Sequence, residues 1–125
     1  MKRLLLLAAV VTFASCAKEE ERLYVRLTAT CEMCAVEYIQ DGTTRRDTVI
    51  GLLQYEWNDG VATVDTVPVS ASWNIVRKPG EVITFSACPI ASNTEGITLA
   101  VSGDVRPINT QTSEGCAKIE QEASR

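Results

Sequence analysis

Residues 22–30, RLYVRLTAT, decide the fold of this chain. Apolar residues recur there at every second position: Leu23, Val25, Leu27 and Ala29. A repeat of two places these side chains on one face of an extended strand and the intervening ones on the other. The stretch therefore predicts a β-strand with one buried and one solvated face.

Beyond Glu21 the sequence continues in the same style. Val, Ile and Thr, which suit a pleated and half-buried surface, are frequent, and no internal repeat is visible. Dipeptides typical of turns separate the extended runs: Asp41-Gly42, Asp59-Gly60 after Asn58, Pro79-Gly80 and Gly103-Asp104. Only residues 116–124, CAKIEQEAS, could form a helix, and they are short enough for a last strand with a polar tail.

Frequent turns without a convincing helix between them indicate an all-β antiparallel fold. We expect an Ig-like antiparallel β-sandwich of about seven to nine short strands in a domain covering residues 22–125, with strands from about Leu23 to Glu122. A closed barrel stays open as the alternative.

The first residues of the chain have the three parts of a secretory signal. Lys2-Arg3 is followed by the apolar residues 4–11 and then by the small residues that end at Cys16. The apolar run is shorter than the ~20 residues that a membrane-spanning helix needs. We therefore predict a signal peptide over residues 1–15.

Residues 13–16, Phe-Ala-Ser-Cys, resemble a bacterial lipobox. Its cysteine receives a diacylglyceryl thioether and becomes the new amino terminus, so the resemblance implies lipidation of Cys16. The family usually has Leu where this chain has Phe13. The alternative is an ordinary signal peptide cleaved near Ala14. Two or more acyl chains hold a protein firmly on a bilayer, whereas one holds it only marginally.

Residues 17–21, Ala-Lys-Glu-Glu-Glu, resemble the surface-export signal of Bacteroidota-type lipoproteins. The alternative is a solvated spacer, since charge runs are usually that. Asp47-Thr48-Val49 and Asp65-Thr66-Val67 resemble the O-glycosylation sites of the same bacteria, which makes Thr48 and Thr66 candidate acceptors if both are exposed. These resemblances imply an acidic tether at residues 16–21 and a lipid-anchored protein of the outer membrane or cell surface.

The second half of the chain resembles a known domain family. Residues 67–89, VPVSASWNIVRKPGEVITFSACP, and residues 96–120, GITLAVSGDVRPINTQTSEGCAKIE, are similar to the mycobacterial membrane protein small (MmpS-like) family. Its members are Ig-like sandwiches tethered to a membrane, and some assist a lipid exporter. This chain departs from them in its lipid anchor and in Cys31 and Cys34. The resemblance implies a tethered accessory role and names no cargo.

Four cysteines remain once Cys16 is lipidated. An even number in an exported domain indicates two disulfides. We favour Cys31–Cys34 with Cys88–Cys116, and the crossed pairings stay open. A four-cysteine zinc site is disfavoured, because such sites usually present two close pairs and the last two cysteines lie 28 residues apart.

The CEMC stretch also allows a thiol–disulfide enzyme. Cys31 would be the nucleophile and Cys34 the resolving thiol, with Pro68 facing the motif. That chemistry needs Cys31 at a helix amino terminus, which lowers the thiol pKa. Residues 35–42, AVEYIQDG, look like a strand and a turn instead, so this function is the alternative.

Other chemistry is sparse. The chain has no histidine, the commonest general base, and its acidic residues Asp41, Asp59 and Asp104 lie in predicted turns. Without Lys2-Arg3 the chain carries ten basic and sixteen acidic residues, a net charge of −6, and its basic residues cluster only in pairs. We predict no enzyme activity, no cofactor, no metal and no nucleic-acid partner.

The aromatic residues allow two interpretations. Tyr55 and Trp57 share one strand face beside a turn, and Trp73 follows a later extended run. Large aromatics usually anchor the core of a sandwich, and we favour this for Trp57 and Trp73. The alternative is that Tyr55 and Trp57 are exposed and stack on sugars or partner proteins.

Together these features predict a non-catalytic envelope lipoprotein. Its β-sandwich would act as a membrane-tethered binding or transport-accessory module. We expect it to contact another envelope protein, a glycan or a lipid-transport complex. A purely structural envelope component differs only in having no ligand.

Overall fold

A computed structural model describes residues 21–90 and 96–125, and within these ranges the chain forms ten antiparallel strands and no helix. The strands are β1 (Leu23–Cys31), β2 (Met33–Gln40), β3 (Thr43–Ile50), β4 (Leu52–Asn58), β5 (Val61–Val67), β6 (Val69–Arg77), β7 (Val82–Pro89), β8 (Ile97–Gly103), β9 (Ile108–Thr112) and β10 (Ala117–Glu122). The predicted all-β class is confirmed, with one strand more than the expected upper number. The predictions for the signal peptide, Cys16 and residues 17–20 fall outside the described residues.

The strands form two four-stranded sheets and a separate pair. One sheet has the order β6-β1-β8-β9 and the other has the order β10-β7-β2-β3, while β4 and β5 pair only with each other. The two larger sheets bury their facing sides in one hydrophobic core, which makes the domain a β-sandwich. The last segment is the strand β10 and not a helix.

Strand β1 shows how the alternating pattern becomes a core. Leu23, Val25, Leu27 and Ala29 are all buried, whereas Tyr24 on the opposite face is exposed. From the opposing sheet, Phe85 and Ile83 of β7 close over this face and are equally buried. The alternation predicted from residues 22–30 is therefore confirmed.

The two sheets are tied together along the edge where β3 lies beside β6. The indole Nε1–H of Trp73 on β6 donates a hydrogen bond of 2.9 Å to the carboxylate of Asp47 on β3. The ring of Trp73 also packs against Phe85 and Tyr38, with centroid distances of 6.1 and 5.9 Å. Trp73 is half-buried and packs against the core from this edge, which agrees with the prediction that it anchors the sandwich.

The predicted turns are in place. Asp41-Gly42 joins β2 to β3 and Asp59-Gly60 joins β4 to β5. All four residues have positive φ, at 52° and 73° in the first turn and 52° and 79° in the second. Positive φ at both central positions defines a type I′ turn, whose twist matches the flanking strands. Pro79-Gly80 links the two large sheets.

Strand β1 also defines two ends of the sandwich. Eight residue steps separate Leu23 from Cys31, a length of about 26 Å. Arg77 pairs with Leu23 and Val69 pairs with Cys31. We call these the Leu23 end, which follows directly on the predicted tether, and the Cys31 end. No helix among residues 21–90 and 96–125 is long and apolar enough to span a bilayer.

Candidate functional site

A projecting hairpin at the Cys31 end is the most distinctive surface of the molecule. The chain leaves one sheet at the end of β3, runs out along β4, turns at Asp59-Gly60, and returns along β5 to enter the other sheet at β6. We call residues 51–67 the arm. No third strand pairs with it within the described residues, so the backbone of each arm strand has a free edge.

One face of the arm is apolar. The cross-strand register places Tyr55 opposite Val64 and Trp57 opposite Ala62, with Leu53 farther along the same face. Leu53, Tyr55, Trp57 and Val64 are 61%, 64%, 72% and 52% exposed. Monomeric proteins rarely leave such neighbouring side chains uncovered, and apolar patches of this kind often mark interaction sites. We call this surface the apolar face of the arm.

The preferred interpretation of Trp57 as a core anchor is wrong. The shared face with Tyr55 is as predicted, but β4 belongs to neither large sheet and nothing in the described chain covers that face. An apolar strand face is buried only where a second layer packs on it. Both aromatic side chains are therefore available for contact.

The opposite face of the arm is polar and acidic along its middle, while the exposed Leu52 and Val67 lie on it beside the root. Gln54, Glu56 and Asn58 of β4 lie across from Asp65 and Thr63 of β5 and from Val61. Residues 51–67 contain three acidic residues, the third being Asp59 in the turn, and no lysine or arginine. The arm thus presents an apolar face with negative charge behind it and at its tip.

The root of the arm is tightly packed around Gly51. Its N–H donates a 2.6 Å hydrogen bond to the carbonyl of Glu32, which lies in the corner between β1 and β2. A Cβ atom at this position would lie 2.4 Å from the carbonyl oxygen of Val67 and 2.8 Å from that of Glu32. Main-chain atoms cannot easily move away, so only glycine fits where the arm meets the sandwich.

A buried disulfide braces the same root. Cys31 and Cys34 are bonded and are 1% and 0% exposed. Cys31 pairs with Val69 just after the arm, and Cys34 pairs with Val49 just before it. The bond therefore fixes the corner from which both arm strands emerge.

The second disulfide joins Cys88 to Cys116 across neighbouring strand ends, and both residues are exposed. The pairing favoured from the sequence is therefore the one found. Disulfide exchange requires access of an attacking thiolate to a sulfur atom. Since the sulfurs of the CEMC stretch are buried and Cys34 lies in a strand, this geometry does not favour a thiol–disulfide enzyme.

The candidate glycosylation residues differ in their surroundings. Thr48 is exposed on β3, and Thr66 is half-buried on β5 near the arm root. Asp47 beside Thr48 is already engaged: it accepts hydrogen bonds from the Trp73 indole and from the main-chain N–H of Thr48. These two bonds, the indole bond foremost, lower the pKa of Asp47. Glycosylation of either threonine stays a prediction.

Sequence reasoning found Tyr55 and Trp57 but missed the rest of the site. Leu53 and Val64 complete the apolar face, and Gly51 sets its root. The available signal was Gly51, which interrupts a long extended run at the point where the pairing partner changes. Nothing in the local pattern indicates that the next strands leave the sandwich.

Comparison of the chain with models of protein families, with curated proteins and with solved structures found no match.

Proposed function

We propose that this protein is a non-catalytic envelope lipoprotein, anchored through Cys16, whose sandwich presents the arm to another envelope protein as a binding or transport-accessory module. The observation that carries the proposal is the apolar face of the arm. Its four large side chains share one face and are each more than half exposed, whereas the apolar side chains of similar exposure in the two large sheets, Tyr24, Ile50 and Val82, lie on three different strands. Burial of one such side chain contributes about 1.5–3 kcal/mol, so covering the face supplies much of an interface.

The position of the arm relative to the tether supports this orientation. The tether precedes Leu23, and the arm leaves the sandwich about 26 Å away, beside Cys31. A lipid on Cys16 would hold the Leu23 end toward the bilayer. The arm would then point away from that bilayer, toward proteins in the surrounding space.

The negative charge of the arm indicates the chemistry of its partner. The arm carries Glu56, Asp59 and Asp65 without a basic residue, so a complementary partner has an apolar cleft with lysine or arginine at its rim. A second copy of this chain fits less well, because its arm carries the same three acidic residues and supplies no lysine or arginine at the rim.

Site-specific photo-crosslinking in the native host tests the proposal. A photoreactive phenylalanine analogue at Val64 lies on the apolar face, and the same analogue at the exposed Asn74 of β6 is the matched control. We expect a protein adduct from position 64 alone. It should disappear with Trp57→Ser and weaken with Glu56→Lys, which reverses one charge behind the face.

Other possible partners of the arm would give different crosslinked adducts. Adducts with a second copy, a glycan or a lipid would contradict an envelope protein as the partner. Equal adducts from positions 64 and 74 would contradict the arm as the site. Both variants must keep the melting temperature of the wild type, as expected for exposed residues.

The anchor is tested independently by mass spectrometry of the mature amino terminus. We expect a diacylglyceryl-modified Cys16 and a membrane-bound protein, and Cys16→Ala should move the protein to the soluble fraction. An unmodified first cysteine in the wild type would contradict the lipoprotein part of the proposal and leave the arm as a binding surface.

A further inference from the structure

At the Leu23 end, opposite the arm, a cleft of about 550 Å³ opens between the two sheets. Its walls carry three cationic and two acidic side chains: Arg22, Arg77, Lys78, Asp41 and Glu81. The lining is thus net positive in a chain whose net charge is −4. The carboxylate of Glu81 already accepts the main-chain N–H of Lys78 at 2.7 Å.

The most unusual residue of this cleft is Arg77. It is only 5% exposed because it occupies an inward-facing position at the end of β6. Its Nη2 donates to the main-chain carbonyl of Ile39 on the other sheet. Its Nε is buried and has no hydrogen-bond partner among the described residues. An unsatisfied donor on a buried charged group is costly, and a bound anion would compensate part of that cost.

We infer that the cleft at the Leu23 end binds a phosphate group through Arg77, Arg22 and Lys78. A planar guanidinium can bind two oxygens of a phosphate side by side, and the ammonium adds a point charge. The phosphate can belong to a free anion or to a phospholipid headgroup. The cleft lies where the chain emerges from the predicted tether, but the inference stands on the cleft alone and does not depend on the proposed function.

The test uses protein purified in a nonionic detergent after expression of the whole chain. Titration calorimetry with inorganic phosphate, against sodium chloride of equal ionic strength, measures the free anion. We expect saturable binding that weakens about tenfold in Lys78→Gln and in Arg22→Gln, the loss typical of one charge-assisted hydrogen bond. Arg26→Gln on the outer face of β1 is the matched control and should bind as the wild type.

Vesicles distinguish the source of the phosphate. Co-sedimentation of the Cys16→Ala variant, which carries no acyl anchor of its own, compares phosphatidylglycerol with phosphatidylcholine, with and without Lys78→Gln. If the Lys78→Gln variant loses binding to phosphatidylglycerol, the ligand is a headgroup; if it loses only inorganic phosphate, the ligand is a free anion. If the protein binds neither inorganic phosphate nor phosphatidylglycerol, the inference is wrong. It is also wrong if Arg26→Gln weakens binding as much as Lys78→Gln does. Arg77→Lys supplements these variants because it keeps the positive charge. Arg77→Gln is less suitable, since it also removes the hydrogen bond to Ile39 that ties the two sheets together.

Discussion

Strands β1 and β4 have the same kind of sequence and opposite environments. In β1 the alternate residues Leu23, Val25 and Leu27 are at most 1% exposed, whereas in β4 the alternate residues Tyr55 and Trp57 are 64% and 72% exposed. β1 pairs with β6 and β8, whereas β4 pairs only with β5, but pairing within a sheet covers the edges of a strand and not its faces. The difference is the presence or absence of a second layer.

This contrast shows where the stability of the domain lies. A two-stranded hairpin is at best marginally stable in water, whereas two packed sheets share a core. The arm therefore depends on its type I′ turn, on Gly51 and on the Cys31–Cys34 corner, and contributes little to the core itself. Mutations can test each part of this division.

The largest effect is expected in the core. Phe85→Ala removes a fully buried ring between the sheets and should lower the free energy of unfolding by about 3–5 kcal/mol. Trp57→Ala removes a larger but exposed side chain and should change it by less than about 0.5 kcal/mol. Urea unfolding of both variants gives the comparison. Similar losses would show that the arm is part of the core.

The next largest effect concerns the two disulfides. Replacing Cys88 and Cys116 together by Ala opens a loop with a sequence separation of 28 residues and should cost about 3–4 kcal/mol in the chain-entropy model. This exposed bond should also be reduced first by a mild thiol under native conditions, while the buried Cys31–Cys34 bond resists. Alkylation followed by peptide mapping measures the order. If the Cys31–Cys34 bond is reduced first, the description of this disulfide as a buried brace of the arm root is wrong.

A smaller effect is expected at the arm root. Gly51→Ala places a methyl group against two main-chain carbonyls and should destabilise the protein by about 1–3 kcal/mol. Gly60→Ala at the tip is the control: it meets no atom within 4 Å, and only its positive φ costs about 1 kcal/mol. Thermal unfolding distinguishes the two positions. An equal or larger loss at the tip would mean that the root is not tightly packed.

The smallest expected effect is the pH dependence of stability that comes from Asp47 on β3. Because its hydrogen bonds lower the pKa of Asp47 in the folded state, ionised Asp47 contributes stability that is present above the unfolded pKa of 3.8 and is lost as pH falls through the folded value. Trp73→Phe removes the indole donor and should make the acid side of the stability profile less steep. Urea unfolding between neutral pH and about pH 2 measures this.

A double-mutant cycle supplies the control for that measurement. Asp47→Asn removes the titrating group, so Trp73→Phe should have little further effect on the pH profile in its presence. Additive changes in the profile would assign the pH dependence to another carboxylate.

Much of the fold was predictable from local pattern. The alternation at Leu23 to Ala29, the turns at Asp41-Gly42 and Asp59-Gly60, and the pairing of Cys31 with Cys34 each depend on residues close together in the chain. The site was only partly predictable. Tyr55 and Trp57 were correctly placed on one face, but the pattern could not tell whether that face was covered.

By itself, the sequence determined which side chains share a strand face, where the chain reverses and that the fold is all-β, because these follow from backbone sterics and a period of two. Only the tertiary structure decided that β1 is covered and β4 is not, and that Arg77 turns inward beside a cleft. Burial depends on which distant strands pack together, and strands of similar pattern give no local sign of that choice.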